Sequence, residues 1–94
     1  MENKAKQIEC VMFGRVQLVM FRDFAQRKAR KIGIMGMVEN LSDGSVKVVA
    51  QGTEENLLKF ISYLKKGPIL AKVQDISVSW TEAGEFFQDF KIVY

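Results

Sequence analysis

Histidine is absent from this sequence of 94 residues, and Cys10 is its only cysteine. Without histidine, the Ser-His and Cys-His catalytic pairs and the usual zinc ligand sets are excluded. A single cysteine can form neither an internal disulfide nor a thiolate metal cluster. Any catalysis therefore has to use carboxylates, amides, hydroxyls, guanidinium groups or the backbone.

Long apolar runs and a strong excess of one charge are missing as well. Gly14, Arg15 and Gln17 interrupt the apolar stretch near the N-terminus, so we predict neither a signal peptide nor a membrane span there. We therefore expect a cytoplasmic protein without a membrane partner. The 14 basic and 11 acidic residues give a net charge of +3, which favours small anions and does not indicate nucleic acid as a partner.

The residues that are present have the composition and patterns of a folded domain. With 48% hydrophobic and 27% charged residues, we predict that residues 1–94 form a single domain around one core. Strands are predicted over residues 7–13, 34–41, 45–52, 72–80 and 90–94, and helices from the segment after Gly14 to Gly33 and from Thr53 to Gly67. The Asp43-Gly44 pair predicts a two-residue hairpin, and a bulge is expected near Gln74 and Asp75.

This order of elements is βαββαβ followed by a short fifth strand at the C-terminus. A strand, helix and parallel strand in succession require a right-handed crossover. Two such helices cover one face of a mostly antiparallel sheet. The predicted fold class is therefore α+β, a ferredoxin-like α/β sandwich.

The stretch "FGRVQLVMFRDFAQ", residues 13–26, joins the first predicted strand to the first helix. A loop that leads into a helix N-terminus presents unpaired N–H groups and the positive end of the helix dipole, which bind anions. Gly14 permits backbone conformations that other residues resist. Arg22 lies in the first helical turn, and its planar guanidinium can reach back over the loop. We predict a phosphate site here.

Asn40 is brought to the same place by the topology. Strands one and two are parallel in this fold, so the end of strand two lies at the same edge of the sheet as the loop after strand one. An asparagine there can position a water beside a bound phosphate. Taken alone, an asparagine before an "SDG" hairpin is more often a turn residue.

The segment "GRVQLVMFR" resembles the acylphosphatase signature, in which a G-x-V-Q-G-V-x-F-R pattern forms the phosphate-binding loop. "GMVENLSDGSVKVVAQG", "FISYLKKGP" and "FKIVY" resemble further segments of that family, so the resemblance covers nearly the whole chain. It implies hydrolysis of acyl phosphates to a carboxylate and inorganic phosphate, without a metal or cofactor. The implied partner is a small-molecule substrate, and we expect a monomer.

The resemblance also assigns roles to individual residues. Arg22 would bind the phosphoryl oxygens, the backbone N–H groups of residues 15–20 would surround them, and Asn40 would orient the attacking water. The implied phosphate-binding loop comprises Gly14, Arg15, Val16, Gln17, Leu18, Val19 and Met20. Leu18 departs from the pattern, because the signature has its second glycine there. If that position requires a positive φ, leucine strains the loop by about 1–3 kcal/mol.

Three alternatives are compared with these residues. A degenerate acylphosphatase-like domain would bind anions through Arg22 with weak or no turnover because of Leu18. An RNA-recognition-motif domain has the same βαββαβ order, but it stacks bases on aromatic residues of its central strands. Here the third strand has no aromatic residue and the first has only Phe13, which disfavours RNA binding. A metallochaperone would need a Cys-x-x-Cys loop, which is absent.

Overall fold

A computed structural model describes residues 5–94 of the chain. Its elements are β1 (Lys6–Arg15), α1 (Phe21–Ile32), β2 (Met35–Asn40), β3 (Val46–Gly52), α2 (Glu54–Lys66), β4 (Lys72–Glu82) and β5 (Phe90–Val93). The predicted order of five strands and two helices is confirmed. That residues 1–94 form one domain stays a prediction. No helix within residues 5–94 is long and apolar enough to cross a membrane.

The five strands form one sheet in the order β4-β1-β3-β2-β5. β3 is antiparallel to both β1 and β2, β4 is antiparallel to β1, and β5 is parallel to β2. This is the predicted ferredoxin-like sandwich. Because β1 and β2 both run opposite to β3, their last residues, Arg15 and Asn40, reach the same edge of the sheet.

The core lies between the sheet and the two helices. Alternate residues of β1, namely Ile8, Cys10 and Met12, are fully buried and pair with the equally buried Ala50, Val48 and Val46 of β3. The helices add the buried side chains Phe21, Ala25, Ala29, Leu57, Phe60 and Leu64. The period of two along the strands and the apolar stripe along each helix therefore meet in one apolar layer. Burial there raises the pKa of the Cys10 thiol to about 12.

Both helices end directly before the glycines that predict their ends, Gly33 and Gly67. Only α2 begins with a side-chain cap. Thr53 Oγ1 accepts a hydrogen bond of 3.2 Å from the Asn56 amide at the start of α2. α1 ends at Gly33, which has a φ of 77° and donates its N–H to the Ala29 carbonyl. In contrast, Met20 precedes α1 in a left-handed conformation, without a side-chain hydrogen bond to the first turn.

The hairpin between β2 and β3 is longer than predicted. The Leu41 amide donates to the Ser45 carbonyl at 2.9 Å, and the Gly44 amide donates to the Leu41 carbonyl at 3.2 Å. Residues 42–44 therefore form the loop, and Gly44 takes the left-handed position with a φ of 92°. The two-residue prediction was wrong because Asp-Gly also suits a three-residue loop, in which a type I turn precedes a left-handed glycine.

The bulge expected in β4 is confirmed, and it explains Gly14. Phe13 pairs with Asp75 and Gly14 with Val73, so Gln74 is the extra residue. Gly14 has a φ of 119°, and a Cβ there would collide with the Lys72 carbonyl oxygen and lie 2.9 Å from the Gln74 nitrogen. Gly14 therefore lies inside β1, which extends to Arg15 rather than ending at Phe13, and it accommodates the close approach of β4.

Candidate active site

The loop between β1 and α1 has an unusual backbone. Leu18 and Met20 both lie in the left-handed region, with φ values of 63° and 66°. Alternation of left-handed and other conformations curves successive N–H groups toward one side, which makes a concave anion site. Among the described residues, the amides of residues 17–23 find no backbone acceptor. The loop and the first turn of α1 therefore offer a row of free donors.

Arg22, the second residue of α1, provides the positive charge beside this loop. Its guanidinium carbon lies 4.9 Å from the centroid of the Tyr94 ring, a cation–π contact that restrains the side chain. The salt bridges within residues 5–94 do not include it. A half-buried arginine without a carboxylate partner is available for an external anion.

Arg22 and Asn40 line one open cleft with a volume of about 430 Å³. Its lining comprises Val16, Leu18, Met20, Phe21, Arg22, Asp23, Asn40, Ile92 and Tyr94; we call it the phosphate cleft. Asp23 is held by Arg27, whose Nε lies 2.9 Å from Asp23 Oδ2. The cleft thus combines a free guanidinium, a neutral side-chain amide and a helix N-terminus.

Gln17 connects the loop to the strand that carries Asn40. Its Nε2 donates two hydrogen bonds of 2.8 Å, one to the Leu41 carbonyl and one to the Ser45 carbonyl. Both acceptors close the hairpin that follows Asn40 directly. The side chain therefore holds the loop and the end of β2 at a fixed distance, which is what a site built from two separate segments needs.

The structure brings together some of the predicted site residues and separates others. Arg22 and Asn40 line the phosphate cleft, with Val16, Leu18 and Met20 from the loop. The remaining loop residues, Gly14, Arg15, Gln17 and Val19, do not line it. Arg15 ends β1 opposite Lys72, and Val19 is buried in the core. The phosphate-binding and catalytic roles assigned to these residues stay predictions.

Tyr94 and Ile92 belong to the cleft but were missed in the sequence. The sequence pattern predicts only that they belong to a strand with alternating apolar residues. Sequence order does not reveal which strand lies next to β2. In the structure β5 pairs with β2, and Val93 lies opposite Glu39. The residue after Val93 therefore falls beside Asn40. A parallel pairing of β5 with β2 is the signal that would have identified Tyr94.

Leu18 adopts the positive φ that the missing glycine predicts. Its side chain is 100% exposed, so the leucine is not forced into a packed space. The remaining penalty is the conformational one for an L-residue in the left-handed region, about 1–2 kcal/mol. Leu18 therefore has the backbone conformation expected for glycine at this position, and its side chain lies at the rim of the cleft.

The fold and the cleft together define a small α/β sandwich with an open cleft beside the loop between β1 and α1. The sequence profile of the acylphosphatase family matches residues 8–92. The chain belongs to the acylphosphatase family. Three or more side chains suited to a metal ion do not cluster anywhere within residues 5–94.

Similar proteins come from several organisms. An acylphosphatase of Thermus thermophilus is 52% identical over 69 residues, which are 73% of this chain and 78% of that protein. An acylphosphatase of Dehalococcoides mccartyi is 40% identical over 88 residues, 93% of this chain and 97% of its own length. The crystal structure of acylphosphatase from Bacillus subtilis matches with a TM-score of 0.92 and 40% identity, covering 95% of this chain and 99% of that chain.

These similarities identify the class of activity. The chain is a hydrolase that acts on small acyl phosphates, as the resemblance implied. The alternative of a degenerate anion-binding domain is not favoured. The positive φ of Leu18 agrees with this result, because it is a conformation that the signature glycine would also adopt.

Proposed function

We propose that Arg22 and the amides of residues 15–20 hold the phosphoryl group of an acyl phosphate, and that Asn40 orients the attacking water. The observation that carries this proposal is the shared phosphate cleft, which joins a free guanidinium, unpaired amides and the Asn40 side chain. Charge-assisted hydrogen bonds from a planar guanidinium suit phosphoryl oxygens. Preorganised backbone donors stabilise the charge that develops on them in the transition state.

The chemistry requires little more than positioning. The water oxygen bonds to phosphorus while the bond from phosphorus to the acyl oxygen breaks, and the electron pair leaves with the carboxylate. A phosphoryl oxygen of the substrate accepts the proton of the water, and inorganic phosphate is the second product. Because a carboxylate is a good leaving group, alignment and charge stabilisation suffice without a histidine base.

Kinetic measurements distinguish the role proposed for Arg22 from the role proposed for Asn40. We expect Arg22→Ala to weaken inhibition by inorganic phosphate at least about 100-fold, because it removes the charged clamp. Asn40→Ala should lower kcat on the order of 100-fold and leave phosphate inhibition close to that of the unmodified protein. Steady-state hydrolysis of benzoyl phosphate, with phosphate as the inhibitor, measures both quantities.

Lys31→Ala is the matched control, since Lys31 is an exposed cation near the opposite end of α1. Its removal tests whether any loss of positive charge on this helix has the same effect. An equal loss of phosphate affinity in the Arg22 and Asn40 variants would contradict the assigned roles. Activity at the uncatalysed rate in the unmodified protein would contradict the proposal as a whole.

We also propose that the protein is a monomer and that it works in the cytoplasm. The proposed mechanism uses Arg22, Asn40 and the loop amides, which one copy of the chain brings together, so the mechanism needs no residue from a second copy. A buried, protonated Cys10 thiol suits a reducing compartment. Sedimentation of the active protein at assay concentration tests the monomer, and a dimer that alone carries the activity would overturn it.

A further inference from the structure

A second open cavity of about 530 Å³ lies directly beside the phosphate cleft. It runs between the first half of α1 and residues 67–70, the turn that follows α2; we call it the side groove. Its lining comprises Val19, Met20, Asp23, Phe24, Arg27, Lys28, Lys66, Gly67, Pro68, Ile69 and Leu70. Met20 and Asp23 line both cavities. The two spaces therefore adjoin each other at Met20 and Asp23.

The walls of the side groove are largely apolar. Val19 and Phe24 form a buried base, whereas Ile69 is 98% exposed and Leu70 is 67% exposed at the rim. The turn that displays these two side chains is ordered by backbone hydrogen bonds. The Gly67 amide donates to the Tyr63 carbonyl at 2.8 Å, and the Ala71 amide donates to the Pro68 carbonyl at 2.9 Å. Adjacent apolar side chains on a fixed turn form a surface suited to an apolar ligand group.

Two of the three cationic side chains that line the side groove have partners within the fold. Arg27 is paired with Asp23, and Lys28 Nζ lies 4.7 Å from the centroid of the Tyr63 ring and 5.7 Å from that of Phe24. Lys66 is exposed at the end of α2. Such charges raise the local concentration of any anionic substrate. They therefore favour phosphate esters and anhydrides in general and do not distinguish one acyl group from another.

The topology places the side groove where the leaving group has to be. In-line displacement puts the attacking and leaving oxygens on opposite sides of phosphorus. Asn40 ends β2, while the 67–70 turn leads into β4, and β2 and β4 lie on opposite sides of β1 in the sheet. The loop after β1 holds the phosphoryl group between them. A water at Asn40 therefore leaves the acyl oxygen facing the side groove.

We infer that the side groove receives the acyl group, so that this enzyme prefers acyl phosphates with an aryl or branched-chain acyl group over acetyl phosphate. This inference rests on the proposed function, because the phosphoryl end must occupy the adjoining phosphate cleft. Contact with the groove is made in the ground state as well as in the transition state. It therefore acts mainly on KM.

The test compares benzoyl phosphate with acetyl phosphate in the unmodified protein, in Ile69→Ser and in Ile69→Ser/Leu70→Ser. We expect the ratio of kcat/KM for benzoyl to acetyl phosphate to fall about fivefold in the double variant, the loss of a few apolar contacts in an open groove. The single variant should show about half of that change on a logarithmic scale. The change should appear as a higher KM for benzoyl phosphate with a similar kcat.

Leu58→Ser is the matched control, since Leu58 is a 53% exposed leucine of α2 that lines neither cavity. It should keep the ratio of the unmodified protein. An unchanged ratio in both groove variants would overturn the acyl-site inference and leave the proposed function intact. Failure to hydrolyse either substrate would instead overturn the proposed function. Because Ile69 is 98% exposed, its single variant keeps the native fold and decides the question even if the double variant unfolds.

Discussion

Leu18 and Met20 are the two residues on which the shape of the anion loop depends most directly. Both hold a positive φ without being glycine, and each left-handed L-residue costs about 1–2 kcal/mol. The rest of the fold maintains the loop against this strain through the Gln17 hydrogen bonds and the buried Val16 and Val19 side chains. The same left-handed conformations that strain the loop also curve its amides into a concave set. The strain is therefore not a sign that the loop has degenerated.

At Leu18 we expect glycine to relieve strain without improving catalysis. Leu18→Gly should raise the free energy of unfolding by up to about 1 kcal/mol, because relief of the left-handed conformation is partly offset by the greater entropy of the unfolded chain. The value of kcat/KM for an acyl phosphate should stay within about threefold, since the loop already has its functional shape. Denaturant unfolding and steady-state kinetics measure the two effects.

Leu18→Ala separates backbone strain from the leucine side chain, because alanine keeps the Cβ and removes the rest. It should be less stable than Leu18→Gly and have similar activity. A gain of more than about tenfold in kcat/KM for the glycine variant would contradict this account. It would mean that leucine impairs the loop.

Some of these individual residues could be identified from the sequence, and others could not. Leu18 was identified because it replaces a glycine of the acylphosphatase signature. Arg22 and Asn40 were identified because they match family motif residues whose chemical roles are known. Met20 gave no signal, since nothing in a methionine predicts a positive φ; only the path of the chain into α1 requires it. Tyr94 also gave none, because its position depends on which strand pairs with β2.

At the scale of elements, the site depends on how the loop is joined to the β2–β3 hairpin. Gln17 supplies both hydrogen bonds that cross this gap. Gln26 offers a natural comparison, because its Nε2 donates to the Phe90 carbonyl at 3.0 Å and ties α1 to β5 outside the phosphate cleft. Both glutamines are half-buried and bond to backbone carbonyls, Gln17 twice and Gln26 once. Their stability contributions should therefore differ by about one hydrogen bond.

We therefore expect Gln17→Ala and Gln26→Ala to differ in activity far more than in stability. Each should lower the free energy of unfolding by about 0.5–1.5 kcal/mol for every side-chain hydrogen bond lost. The Leu41 and Ser45 carbonyls keep their backbone donors, the Gly44 and Leu41 amides, when Gln17 is removed. Gln17→Ala should also lower kcat about tenfold, because the loop and Asn40 lose their fixed spacing. Denaturant unfolding and kcat at saturating substrate give both values. Equal loss of kcat in the two variants would show that Gln17 has no positioning role.

Predictions at the element scale succeeded where a local signal sets the structure. Thr53 and Gly33 fix helix ends, and the phase change around Val73 revealed the bulge at Gln74. Gly14 shows the limit of such signals. Its pattern indicated a conformation that only glycine favours, but the reason is the close approach of β4, a strand almost sixty residues later in the sequence.

At the scale of the whole molecule, anion binding and folding should be coupled. The unfolded chain lacks both the curved loop and the Arg22–Tyr94 contact, so it has no comparable phosphate site. A ligand that binds only the folded state stabilises it by an amount that grows with the logarithm of its concentration. For phosphate at ten times its dissociation constant, this gain is about 1.4 kcal/mol.

The melting temperature of the unmodified protein should therefore rise by about 6–10 °C at that phosphate concentration, as expected for a domain of this size. Sodium chloride at the same ionic strength controls for general screening of the +3 net charge and should give a much smaller rise. Arg22→Ala should lose most of the phosphate effect, whereas Lys31→Ala should keep it. If phosphate stabilised all three proteins equally, the anion would be acting on the overall charge, and the phosphate cleft would not be its binding site.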